Sequence, residues 1–589
     1  MAREIKRKKE IHGGEEMEVI YLKGNPGLTV EEIEAAQAKG EIIHKFRFCP
    51  ALDPRTFEPE PGITCRRDMS MQLRDGVTIY FDLYLPTWNH TNNIPVPVII
   101  SWSMFGKRQA EGPMDWKLMG VPPGTVTKMC KFESADPGYW CREGYAIANV
   151  DFRGSGNSEG DCSMFGENDA RDGYDFVEWC GVQPWCNGKV AFFGNSGVAM
   201  PIWRIAATQP PHLACIAPWE GTSDMYRESI CVGGIPSGGF DRQLVNGISC
   251  RGWIEDMNAN LEEHPYYDAY WKNKAADFSK IKVPAYVGAG WCHFHLHGSV
   301  EGFRRIRSPK KWLRIHREFE WPDTYHRDNL DDLKKFFDRY LKDVHNGWEF
   351  TPKVRVDVMD GCGFDLCTRR PENEFPLKRT VYQKLYLDAR TMSAEYRTFD
   401  RESEVVYSSA DPKETVTFDH VFREDTEITG YMKLRLWVEC RGHDNMDLFV
   451  WIKKLDLKGE YLPVHCMGEP YRGAWGYLRV SRRELDEKLS TDFQPIQAHQ
   501  RDQKLSPGEI VPVDIEIWPH SRFWHAGEAL RIEIGSDYIR TDWYEDMKMG
   551  FETDNNGADH VIHTGGRYES YLQIPTIPPK YQVGNYIVR

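Results

Sequence analysis

Hydrophobic positions along this chain change their period several times. Met69-Ser70-Met71-Gln72-Leu73 alternates, Arg74-Asp75-Gly76 is a turn signal, and 77–85 alternates again. This predicts two half-buried strands joined as a hairpin. Denser apolar runs follow at 96–102, 145–151, 190–193 and 283–290, as strands covered on both faces require. Between them Tyr174, Phe176, Val177 and Trp179 repeat at helical spacing within 172–180, and 330–341 is an amphipathic helix. Strands alternating with helices predict an α/β fold with a mostly parallel sheet. From Val381 the pattern becomes short strands (415–418, 432–439, 447–453, 510–518, 530–536 and 561–563), the signature of a sandwich. Residues 221–280 are rich in Trp, Tyr, Asn and Glu, with helical stretches at 254–263 and 266–278 that suit a cap. In the first sixty residues Thr29 caps a helix over 30–38 closed by Gly40, and 45–61 reads as irregular. The divisions expected are 1–60 (N-terminal extension), 61–220 and 281–375 (two parts of the α/β core), 221–280 (cap) and 376–589 (sandwich).

One stretch organises the rest. Val190-Ala191-Phe192-Phe193 runs into Gly194-Asn195-Ser196-Gly197 and then into an apolar, helix-compatible segment to Ala207. Strand, Gly-flanked turn with a central serine, then helix is a nucleophile elbow. Glycines beside the serine remove the Cβ atoms that would clash in the strained turn. Ser196 then sits at a helix N-terminus, where backbone N–H groups can receive an oxyanion. The usual pattern is G-x-S-x-G; here Val198 stands where the second glycine is expected.

Composition narrows the function classes. The 589 residues carry a net charge of −14, which argues against nucleic acid as a partner. The charged opening has no apolar run after it, and no stretch of about 18 apolar residues would span a membrane. The 15 cysteines contain no CxxC pair and read as reduced thiols of a cytoplasmic protein.

Further motifs follow in order. They are Asp151-Phe152-Arg153-Gly154-Ser155-Gly156-Asn157-Ser158-Glu159-Gly160, Asp172-Gly173-Tyr174-Asp175 with Glu178-Trp179, and Gln183-Pro184-Trp185 with Asn187-Gly188-Lys189-Val190. With the elbow, Pro210-Pro211-His212-Leu213, Ser223-Asp224-Met225-Tyr226-Arg227-Glu228 and the later Leu478–Asp486 and Phe523–Gly527 segments, the chain resembles the cocaine esterase / X-Pro dipeptidyl-peptidase (CocE/NonD) serine hydrolases over 60–589. The resemblance implies an α/β-hydrolase core, an inserted helical cap and a C-terminal jelly-roll-like β-sandwich. Asp151 and Arg153 are expected to fix the turn after their strand.

The chemistry departs from that family in three places. A serine hydroxyl needs a base, usually histidine, oriented by a carboxylate. The family places its acid after a strand ending Gly-Trp-x-Asp and its histidine after the next strand. Here Gly290-Trp291-Cys292-His293-Phe294-His295-Leu296-His297 puts His293 at the acid position, and Glu320 stands where the histidine is expected. Both ingredients are present with their places exchanged. The rearranged triad read from this is Ser196 as nucleophile, His295 as base and Glu320 as orienting acid. His295 is preferred because Trp291-x-x-x-His295-x-x-Gly298-Ser299 resembles a pattern of one branch of the family. His293 is the second choice, and His316 could orient either partner. The alternating histidines with a nearby carboxylate also suit a metal, although their spacing matches no structural zinc pattern. At the oxyanion hole one donor is the Gly197 N–H. The family's second donor is a tyrosine hydroxyl, and Phe105 holds that place; Ser103 is a nearby replacement, and Phe105 can instead wall an apolar pocket.

The reading is a serine hydrolase cleaving an ester, less readily an amide, of a small apolar acyl substrate through an acyl-enzyme, with no cofactor. The substrate is a small molecule, neither nucleic acid nor membrane is a partner, and the sandwich could serve a homo-oligomer or substrate shaping. The alternatives are a non-hydrolytic or C–C bond-acting enzyme on this scaffold, or an inactive protein that binds a ligand.

Overall fold

The dense apolar runs become neighbouring strands of one sheet in a computed structural model of the chain. It describes residues 3–41, 45–108, 116, 119–361, 364–466, 469–471, 473–538, 550–579, 581–583 and 586–588. Val96–Ser103, Ala146–Asp151 and Ala285–Gly290 are buried at every position, as a sheet covered on both faces demands. Arg55–Glu60, Ile63–Gln72 and Thr78–Pro86 form an antiparallel margin, and Thr78–Pro86 pairs antiparallel with Ala146–Asp151. From there the sheet is parallel. Ala146–Asp151 pairs with Val96–Ser103, that strand with Cys186–Asn195, then Leu213–Trp219, then Ala285–Gly290. This is an α/β-hydrolase core.

Two helices fix the elbow. Glu167–Gly181 packs on Met200–Ala207, the helix that follows the nucleophile turn. They approach closely because Gly173 has no side chain: a Cβ there would lie 2.4 Å from Ile205 Cδ1. Met200–Ala207 is buried from Met200 to Ala206, including Arg204, whose guanidinium donates to the Met200 and Ser223 carbonyls at 3.1 and 3.3 Å.

The margins differ from the sequence pattern in instructive ways. The charged opening forms a hairpin, Ile5–His12 with Glu15–Lys23, turned by Gly13 and Gly14, both at positive φ. Two residues with positive φ fit the type I′ turn that hairpins favour. Trp253–Glu255 adds to this hairpin as a third strand, so the helix expected over 254–263 begins only at Met257. Asp256 sets that start, accepting the Asn258 and Ala259 N–H groups as an N-cap. Thr29 caps Val30–Ala38 with a full capping box, as its sequence predicts. Arg55–Glu60 is a strand in the region read as irregular.

The chain divides into two compact units. One is 1–228, 241–314 and 318–351; the other is 229–240, 315–317 and 352–589. The second holds a β-sandwich. One sheet pairs Thr415–Val421, Ala529–Gly535, Asp447–Leu455 and Ala474–Arg479. The other pairs Val381–Asp388, Tyr571–Thr576, Thr426–Arg441 and Val511–Trp524. Alternate residues of both sheets fill one core, among them Phe418, Val450, Leu434, Ile515, Ile532 and Leu572. Residues 229–240, expected within the cap, belong to this unit. Val232 and Ile235 pack with Phe449, Trp451, Tyr477 and Trp518, and the Gly233 carbonyl accepts the Arg479 N–H at 2.8 Å.

Gly173→Ala is expected to destabilise the protein by about 1–3 kcal/mol through overpacking against Ile205. Denaturant unfolding measures this, and Ile205→Ala in the same chain should recover part of the loss; a neutral Gly173→Ala would show that the helices can separate at little cost.

Candidate active site

Ser196 stands at the end of Cys186–Asn195 with φ of 51°, a backbone conformation that a residue with a Cβ adopts at a cost. The elbow accommodates it through its neighbours. A Cβ on Gly194 would lie 2.3 Å from Val198 Cγ1, so the valine at the usual second-glycine position fills the space that Gly194 leaves. A Cβ on Gly197 would lie 2.7 Å from Phe105 Cε2, so the bare Gly197 lets the Phe105 ring rest beside the Ser196 turn.

Buried acids surround this turn. Glu133, Glu220 and Glu320 are each no more than 2% exposed. Glu133 and Glu220 also hold positive φ, 58° and 56°. Ser196, Glu133 and Glu220 thus share an uncommon backbone conformation, which makes this turn a candidate site. The Glu133 carboxyl faces the Ser196 side chain and the Gly197 N–H, both of which favour its anion, yet burial and the neighbouring Glu320 push its pKa well above the ordinary glutamate value. Trp321 Nε1 donates to Glu133 Oε1 at 3.4 Å. The backbone here is pinned to the elbow strand. The Asn195 N–H donates to the Glu133 carbonyl at 3.2 Å, and Ser134 bridges Gly194.

Glu320 follows Lys311–His316 and comes to the residue before the nucleophile. Asn195 Nδ2 donates to Glu320 Oε2 at 2.9 Å, and His293 Nε2 lies 3.3 Å from Glu320 Oε1. Burial raises the Glu320 pKa, while His293 and Asn195 oppose the shift. The His295 N–H donates to His293 Nδ1 at 3.1 Å. That bond uses the Nδ1 lone pair, so in the neutral ring Nε2, close to Glu320 Oε1, carries the proton. Glu220 Oε2 accepts the Gly290 N–H at 2.9 Å and lies 3.8 Å from His293 Nδ1. His295 is buried, donates to the Glu220 carbonyl, and has its pKa driven well below the ordinary histidine value by desolvation and by His293.

The expected site residues thus divide. His293, His295 and Glu320 come together in one buried cluster, and Ser196 follows Asn195, whose side chain bonds Glu320. His293, rather than His295, meets Glu320, and among the described residues the group placed against the Ser196 hydroxyl is Glu133. Ser103 is fully buried, and its Oγ accepts the Phe105 N–H at 3.0 Å, turning the loop that carries the ring. Phe105 lies against Phe46 and Phe132, and Phe132 against Trp321. His316 is buried at the end of its strand. Asp151 does more than hold its turn. It accepts the Asn157 N–H at 3.0 Å and, at 2.9 Å, the ammonium of Lys107, two residues after Phe105. Arg153 pairs with Asp172 at 2.6 and 2.8 Å. Lys107 ends the Met104-Phe105-Gly106-Lys107 segment that corresponds to the family's Pro-Tyr-x-Lys, whereas Glu133 and Glu220 had no motif to announce them.

A family model described as X-Pro dipeptidyl-peptidase (S15 family) matches residues 75–246, and one described as X-Pro dipeptidyl-peptidase C-terminal non-catalytic domain matches 346–573. Cocaine esterase from Rhodococcus sp. (strain MB1 Bresler) is 23% identical, over 87% of this chain and 98% of its own. A CocE/NonD family hydrolase from Staphylococcus aureus is 34% identical, covering 94% of this chain and 100% of its own, with a TM-score of 0.83. The chain belongs to the CocE/NonD hydrolase family. An α-amino acid ester hydrolase, 16% identical with a TM-score of 0.63, shares the fold. No helix among the described residues is long and apolar enough to cross a membrane.

In this CocE/NonD hydrolase, His293, His295 and Glu320 offer ligand atoms within 4.8 Å of one another. The tautomer of His293 works against a metal there: its Nε2 lone pair would be the ligand, and the His295 N–H at Nδ1 holds the proton on Nε2.

The His295 ring is expected to remain neutral from pH 8 to pH 5.5. Its NMR resonance, assigned by its loss in His295→Gln, should stay unshifted over that range. Because the folded pKa lies below the unfolded one, the stability linked to His295 is present above the unfolded value and declines as the pH falls below it. A titration of His295 near 6.5 would contradict the packing described here.

Proposed function

We propose that this hydrolase cleaves an ester of a small apolar acyl substrate, with Ser196 as nucleophile and Glu320 as its general base. The observation that supports this is the strained Ser196 with the Glu133 carboxyl facing it and the Glu320 carboxyl hydrogen-bonded to the preceding residue, Asn195, two buried acids whose environments differ. Like charges in a dry pocket exclude each other, so one carboxyl stays protonated while the other ionises. Glu320 has the donors that favour its anion, Asn195 Nδ2 and His293 Nε2. A carboxylate with a raised pKa is a better proton acceptor near neutral pH than an exposed one.

In the acylation step Ser196 Oγ attacks the carbonyl carbon. Its proton passes to Glu320, and the carbonyl π pair moves onto oxygen. Collapse of the tetrahedral intermediate breaks the ester C–O bond, and the leaving alkoxide takes the proton from Glu320. Water then repeats the sequence on the Ser196 ester, releasing the acid and the free serine. His293 acts as a positioning residue that holds the Glu320 carboxylate. The rings of Phe105, Phe132 and Trp321 support an apolar acyl group. An alkoxide leaves with less protonation than an amine, which favours esters over amides.

A fluorophosphonate is expected to label Ser196 stoichiometrically, with the adduct located by mass spectrometry and absent in Ser196→Ala. Glu320→Gln should lower kcat on ester substrates about 100–10,000-fold with a smaller change in KM. In the wild type kcat should fall as the pH drops through the Glu320 pKa, on an acid limb above the ordinary 4.5 of glutamate. Absence of label on folded wild-type protein, or full kcat in Glu320→Gln, would falsify this reading.

A further inference from the structure

We infer that Glu133 is a catalytic residue of this reaction, its neutral carboxyl donating a hydrogen bond from Oε2 to the substrate oxyanion alongside the Gly197 N–H. The inference rests on the acyl-transfer reading above and names the second donor which that reading lacks.

Geometry carries the assignment. A carbonyl attacked by Ser196 develops its charge beside the backbone N–H of the following residue, Gly197. The Glu133 carboxyl faces both groups. Among the described residues, neither Phe105 nor Ser103, the two expected at this place, supplies that donor. Phe105 presents a ring edge to Gly197, and the Ser103 hydroxyl is fully buried against the Phe105 N–H. The two oxygens of Glu133 are also unlike. Oε1 accepts from Trp321 Nε1, whereas Oε2 is buried with no hydrogen-bond partner. A proton on Oε2 would face the Ser196 side chain, and an oxyanion formed by attack of Ser196 would offer it a stronger acceptor there.

The backbone holds this carboxyl in place. Glu133 keeps a φ of 58°, its carbonyl accepts the Asn195 N–H, and the Ser134–Gly194 bridge ties the next residue to the elbow strand. A donor fixed before reaction needs no reorganisation as charge develops, which is the condition for electrostatic catalysis. An ionised Glu133 would repel the oxyanion. Burial and the proximity of Glu320 keep the acid in its neutral form, and a carboxylic acid kept neutral in an apolar site can serve as a hydrogen-bond donor.

The test is the rate at which a fluorophosphonate labels Ser196, because the phosphonyl oxygen occupies the oxyanion position. Wild type, Glu133→Gln and Glu133→Leu are compared between pH 5 and 9. Glu133→Leu should react about 100–1000-fold more slowly, and Glu133→Gln, whose amide N–H can still donate, should lose no more than about ten-fold. The wild-type rate should also fall as the pH rises through the Glu133 pKa and the donor proton is lost. That alkaline limb should vanish in Glu133→Gln, which a purely structural role would not achieve. Circular dichroism melting reports whether Glu133→Leu folds; if it does not, Glu133→Gln and the wild-type limb decide. Wild-type labelling rates in Glu133→Leu, a Glu133→Gln about as slow as Glu133→Leu, or an alkaline limb that persists in Glu133→Gln would overturn the assignment alone. A folded wild type that takes no label overturns the acyl-transfer reading, and the assignment falls with it.

Discussion

Three carboxyl groups converge on one nucleophile turn, in surroundings that penalise every charge they carry. The rest of the site follows from how the chain manages this. Asn195 Nδ2 donates to Glu320, and His293 Nε2 stands 3.3 Å from its other oxygen, both opposing the rise in pKa that burial imposes. Glu220 receives the Gly290 N–H and stands behind His293. Glu133 receives the Trp321 indole N–H at one oxygen, and its carboxyl faces the Ser196 side chain and the Gly197 N–H. The folded scaffold thereby gives chemically identical side chains different surroundings: burial raises the pKa of both Glu133 and Glu320, and different donors oppose the shift at each.

Much of the fold could be read from the order of residues. The parallel strands announce themselves because burial on both faces forces unbroken apolar runs, and the elbow because a serine between glycines ends one of them. The N-terminal hairpin did not, since Ile5–His12 and Glu15–Lys23 are paired ribbons bearing charges on most outward positions. Gly13-Gly14 was the sign available there. The cap helix was placed too early for a similar reason. Periodicity extends it back to Ile254, whereas pairing with the hairpin claims Trp253–Glu255 and the Asp256 side chain sets the true start.

The site was legible to the extent that its residues sit at fixed offsets from strand ends. Ser196, His293 and Glu320 each follow a core strand, so spacing brings them to one edge of the sheet. The exchange of acid and imidazole was visible in the same way. The preference for His295 over His293 concerned which of two residues in one short loop turns inward, and linear spacing does not settle that. Glu133 lies outside the logic of strand ends. It reaches Ser196 from a connection between strands, through a pairing of Ser134 with Gly194 that local sequence does not encode.

Residues 229–240 carry a consequence for biosynthesis. Their partners Phe449, Tyr477 and Trp518 lie far downstream, and Gly233 can take its place only against the Tyr477 carbonyl, which a Cβ there would meet at 2.0 Å. On the ribosome this segment emerges long before anything it packs against. The polypeptide cannot finish its N-terminal half first and add the sandwich afterwards. A shortened chain ending near Thr351 would keep every residue of the serine site and still present Val232 and Ile235 to solvent, so expression of the hydrolase half alone invites aggregation instead of yielding a minimal enzyme.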